Sequence, residues 1–161
     1  MQPGDVLAVF VQLSVVLAGF AGVVAAFGAS SSRELLPRDR HRIINLLLSS
    51  LLPFMLCLFA IVLLSWEPVP QKIWVWSSTS YLVVIGTWRI HRVVQVPKIP
   101  ARHVKVFWSL TAISAVVILI QIYNVFGPGE ASFYLLGIGV QLVLASIQFF
   151  SLVVSQTEPA A

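Results

Sequence analysis

The chain has 161 residues, of which 58% are hydrophobic and 10% charged, and its mean hydropathy is +0.94. Ordinary soluble domains carry about 25% charged residues, so this composition excludes that class and is that of an integral membrane protein. One cysteine, Cys57, excludes an internal disulfide and Cys-rich metal motifs, and the net charge of +4 is spread as membrane orientation requires rather than as a nucleic-acid patch.

Crossing a bilayer core takes about 20 mostly apolar residues in a helix. Five stretches qualify, residues 6–28, 43–65, 73–93, 106–126 and 131–154, and they fill almost the whole chain as a single membrane domain. The first is preceded by Asp5 and by no Lys or Arg, and its apolar run is too long for a signal-peptide core, so it reads as a permanent helix. Within it Ser14, Ala18, Gly22 and Ala26 recur every four residues, a small-residue stripe that lets another backbone approach closely. Gln12 is its one amide.

The connector to the second stretch carries Arg33, Arg38, Arg40 and Arg42, with Pro37 placed for a first helical turn and Ser31 and Glu34 at capping-box spacing. Inside the second stretch, Asn45, Ser49, Pro53 and Cys57 share one face. Pro53 removes a backbone hydrogen bond and is expected to kink the helix, with Ser49 or Ser50 serving the freed carbonyl. Cys57, at mid-span among apolar residues, is expected to be unreactive.

The third stretch ends in Trp88-Arg89-Ile90-His91-Arg92. Arg89 and Arg92 share a face and can snorkel to headgroups. With Arg40, His41, Arg102 and His103 they form a basic rim suited to anionic lipid headgroups or another phosphate. These histidines lie at the boundary rather than at membrane depth, and no acidic partner is near in sequence, so neither metal nor any other cofactor is expected. Prolines 37 and 100 each precede an Arg-His pair and an apolar run, a weak internal echo.

The fourth stretch carries Gln121 and Asn124, the connection Gly127-Pro128-Gly129-Glu130 follows, and the fifth carries Gln141 and Gln148. Basic residues cluster on two connectors and Lys72 alone lies opposite. Positive loops stay cytoplasmic, so the N-terminus is expected outside and the C-terminus inside. Gln12, Gln121, Asn124 and Gln141 then fall in the outer half of the bilayer as a candidate uncharged cluster, for which interhelical hydrogen bonding is the simpler role.

All six acidic residues lie outside the stretches or at their edges, which argues against a proton-driven pump. No hydrolase, metalloprotease, phosphate-loop or dinucleotide signature occurs. The expected fold is an all-α bundle of five transmembrane helices. The expected function is a non-catalytic interaction or assembly subunit, homo-oligomeric or joined to a membrane-protein partner, in contact with anionic lipid at the cytoplasmic face and binding no nucleic acid. A channel or carrier for a small neutral solute or ion is the alternative, and an enzyme acting on lipid or phosphate at the cytoplasmic rim comes third. Minimal loops and compact size are the pattern of proteins of bacterial inner membranes.

Overall fold

A proline in the first turn and a long apolar run are enough to start and sustain each of the first two helices. The computed structural model describes residues 2–30, 37–66, 68, 72–94 and 101–157, with side-chain surroundings for 2–24, 26, 44–66, 68, 72–91, 93–94 and 108–150. The five helices are α1 (Pro3–Ser30), α2 (Pro37–Leu64), α3 (Ile73–Val94), α4 (Ala101–Phe126) and α5 (Ala131–Thr157). At the start of α1, the Gln2 N–H donates to Asp5 Oδ2 at 3.0 Å and the Asp5 N–H donates to the Gln2 carbonyl at 3.0 Å. This pairs terminal groups that the helix itself leaves open. Ser31 and Glu34, the expected capping pair before α2, lie outside the described residues.

Four segments are long and apolar enough to cross a membrane: Pro3–Val24, Ile44–Leu64, Trp108–Phe126 and Ala131–Phe150. The chain is accordingly an integral membrane protein. Helix α3 has 22 residues and is about 33 Å long at 1.5 Å per residue. Its run Ser77-Ser78-Thr79-Ser80-Tyr81 and Arg89 make it less apolar than the others, so a fifth crossing goes beyond these four.

Helix α5 packs against each of the other four, α1 pairs with α2, α3 with α4, and α2 also meets α3. Two three-helix groups, α1–α2–α5 and α3–α4–α5, thus share one member. The main core gathers Leu7, Leu56, Cys57, Ala60, Tyr81, Ile85, Val117, Tyr134, Ile138 and Leu142. A smaller one joins Ala21 to Leu46, with Phe149 against it and Phe20 stacked on Phe149 at 5.9 Å between centroids. Val15, Val83, Leu119 and Val143 are among many large apolar side chains on the outside, a surface suited to acyl chains rather than water.

Two local expectations change. The stripe Ser14, Ala18, Gly22, Ala26 does not form one interface: Ser14 is fully buried, Ala18 half-buried, and Gly22 and Ala26 exposed. A repeat of four on a helix of 3.6 residues per turn advances about 40° per step, so the stripe winds from the inside of the bundle to its outside. The second concerns the serines near Pro53, which is buried inside α2. The nearby serines do not serve the carbonyl that proline frees. Ser49 Oγ lies 2.7 Å from the Asn45 carbonyl, and Ser50 Oγ lies 3.2 Å from that of Leu46 and 3.0 Å from that of Leu47. Both hydroxyls bond back to the preceding turn, the local option open to serine in any helix.

Candidate functional site: a polar seam between α3, α4 and α5

Most hydroxyls on these helices are satisfied by their own helix. Ser14 donates to the Phe10 carbonyl at 2.8 Å, Thr79 to Val75 at 2.8 Å, Thr87 to Val83 at 2.6 Å, Ser114 to Leu110 at 2.9 Å and Ser146 to Leu142 at 2.9 Å. Such bonds remove the cost of a bare hydroxyl in lipid without requiring a neighbour. Groups that bond between helices are the informative ones.

Asn124 is the first. Its Nδ2 donates to Ser78 Oγ at 2.8 Å and to the Glu130 carbonyl at 3.0 Å, while its Oδ1 accepts from the Glu130 N–H at 2.8 Å. The side-chain amide thus pairs with the backbone of Glu130 in both directions. Gly129, at φ 62°, completes the reversal by donating its N–H to the Asn124 carbonyl at 3.1 Å, in a conformation glycine adopts without penalty. One residue therefore sets the α4–α5 turn and docks it on α3.

Deeper in, Gln121 Nε2 donates to the Phe133 carbonyl at 2.6 Å. Gln141 Nε2 donates to Tyr81 Oη at 2.9 Å, and Tyr81 Oη in turn lies 3.5 Å from the Gly137 carbonyl. Gly137 is where these groups converge: a Cβ there would lie 2.5 Å from Gln121 Nε2 and 3.3 Å from the Tyr81 ring. Tyr134 completes the seam, donating to the Leu56 carbonyl of α2 at 2.7 Å. Toward the other end of α5, Ser49 Oγ also lies 3.1 Å from Gln148 Oε1. Two buried oxygens, Ser77 Oγ and Gln121 Oε1, have no hydrogen-bond partner among the described residues.

Of the four amides expected to cluster, the structure brings together Gln121, Asn124 and Gln141, all buried. Gln12 is exposed on α1. Depth along a helix follows from counting residues, whereas direction around it depends on which side the bundle covers, and α1 is apolar all round. Ser78, Tyr81 and Tyr134 complete the seam although nothing in the sequence reading singled them out. The five consecutive hydroxyl-bearing residues from Ser77 to Tyr81 were the available signal.

At the other end of α3, Arg89 is half-buried and His91 exposed. The side chains of Arg40, His41, Arg92, Arg102 and His103 lie outside the described residues. An open groove of about 500 Å³ between α2 and α3 is lined by Leu52, Val83, Val84, Thr87, Trp88 and His91. A second, of about 610 Å³, runs over α5 between Phe10 of α1 and Ile113 of α4 and is almost wholly apolar. Neither is lined by Gln121, Asn124 or Gln141. Among the described residues no three His, Cys, Asp or Glu side chains gather as a metal site. No family model, curated protein or solved structure matches this chain.

Proposed function

We propose that this protein is a non-catalytic assembly subunit of a membrane complex, its chain crossing the bilayer five times with the N-terminus outside and the C-terminus cytoplasmic, in a bacterial inner membrane. The observation that carries this reading is how the buried amides are used. Gln121, Asn124 and Gln141 each donate to another helix or to the α4–α5 turn, which is what helix association in lipid requires. A solute path would need such groups turned to a cavity. The basic residues at the cytoplasmic boundary fit anionic lipid there.

Extraction from native membranes into lipid nanodiscs, followed by mass measurement, tests the assembly. The expected particle exceeds the 17.7 kDa of one chain, and a lone chain in every preparation would overturn the reading. For topology, a reporter after Ala161 should be cytoplasmic and one at Gly129 external. A carrier for a small neutral solute is the second reading, favoured by the two unpaired oxygens of Ser77 and Gln121. Solute flux in liposomes that disappears in Gln121→Leu would favour it over the first.

A further inference from the structure

We infer that α1 pairs with α1 of a second copy of this chain, through an outward face centred on Gln12. The inference rests on the assembly reading and names its partner. Gln12 lies six residues into the apolar stretch 6–28 of α1, its side chain is exposed, and its amide makes no hydrogen bond among the described residues. At 1.5 Å per residue it is about 9 Å from the outer end of that stretch, beyond the reach of its short side chain, so snorkelling as Lys and Arg do does not relieve it. A bare amide at that depth is unfavourable, and the hydrocarbon offers no partner.

The surrounding face is built for close contact. Val15, Val16, Gly19, Gly22, Val23 and Ala26 are all exposed and recur with Gln12 at spacings of three, four and seven, which is one side of a helix. This side opposes Leu7, Ser14 and Ala21, each 0% exposed. At Gly19 and Gly22 an added Cβ would meet nothing within 4 Å, so both backbones are open to a neighbour. Only 17% of the α1 span is buried in the bundle, against 22% for that of α4 and 39% for those of α2 and α5. The Gln12 amide decides the occupant. Copies of one chain insert in the same orientation, and a two-fold axis along the membrane normal brings each residue to the depth of its counterpart. Gln12 then faces Gln12, and because a carboxamide both donates and accepts, each amide satisfies the other. Spacing of seven between Gln12, Gly19 and Ala26 suits a left-handed parallel pair.

The test uses the full chain in phosphatidylcholine vesicles at high lipid dilution. In a Cys57→Ala background, single cysteines at Gln12→Cys and Gly19→Cys should oxidise to covalent dimers. Val116→Cys, on the exposed side of α4, should not. Independently of any cysteine, energy transfer between labelled copies should show Gln12→Leu raising the dissociation constant roughly 3- to 30-fold, the weight of one or two intramembrane hydrogen bonds. Gly19→Leu should weaken pairing as well, and neither should change the bundle's own thermal stability. If copies associate but link at Val116 and not at residue 12, with Gln12→Leu unaltered, the inference falls while the assembly reading stands. A native particle holding one copy and a different protein on α1 has the same meaning. Monomers at every density, together with a one-chain native particle, would sink both.

Discussion

The α3–α4–α5 half and α1 solve the same problem, staying folded in lipid, by different means. The first is tied by hydrogen bonds whose loss leaves buried polar groups bare: Asn124 to Ser78 and Glu130, Gln121 to Phe133, Gln141 to Tyr81. Helix α1 is held by apolar contact, chiefly Leu7, Ala21 and Phe10, and its interior hydroxyl bonds only to its own backbone. Lipid tails are as apolar as leucine, so apolar contact in a membrane gains shape-dependent packing energy but little hydrophobic drive. Polar bonds therefore specify which helices pair and in what register, whereas a helix held by packing alone keeps its remaining surface open to other partners.

The contrast breaks most visibly at Asn124. Asn124→Leu leaves Ser78 Oγ and the Glu130 N–H unpartnered, and should destabilise the bundle by about 2–3 kcal/mol in a steric-trapping or detergent-unfolding measurement. A loss below about 0.5 kcal/mol would mean that the turn is set by Gly129 alone. Next comes Gly137→Ala, whose new Cβ displaces the Gln121 amide from Phe133 at about 1–2 kcal/mol. Combining it with Gln121→Ala, which clears the clash, should cost less than the sum of the single changes, and strict additivity would show that the two residues do not touch. Tyr81→Phe removes the acceptor of Gln141 while keeping the ring and should cost about 0.6–1.5 kcal/mol. An unchanged midpoint would place Tyr81 outside the stabilising set. Smallest is Gly22→Leu: with open space around Gly22, monomer stability should move by less than about 0.5 kcal/mol, and a larger fall would show that α1 packs more tightly than its exposure indicates.

Some helix ends were plain in the sequence because hydropathy acts locally: Ile73, Phe126 and Ala131 bound helices where the apolar runs begin or stop, whereas α2 and α4 begin at Pro37 and Ala101, several residues before theirs. The amides at Gln121, Asn124 and Gln141 were equally legible as polar groups at depth. Their partners were not, since Ser78 and Tyr81 become neighbours of Asn124 and Gln141 only once α3, α4 and α5 are arranged side by side. Tyr134 was hidden for the same reason, its acceptor being a backbone carbonyl that carries no side-chain signal. For Gln12, counting residues yields a depth and no direction, and the winding of the α1 stripe shows how a four-residue repeat misleads on a 3.6-residue helix.

The shared position of α5 orders the events of synthesis. This helix follows the other four in the chain, yet it supplies the Phe133 carbonyl and the Gln141 amide that Gln121 and Tyr81 engage. Asn124 can already meet Ser78 of α3, but until α5 emerges from the ribosome Gln121 and Tyr81 lack these native partners. They are thus open in that interval to neighbouring membrane chains or to the insertion machinery, and the arrival of the fifth helix closes this window.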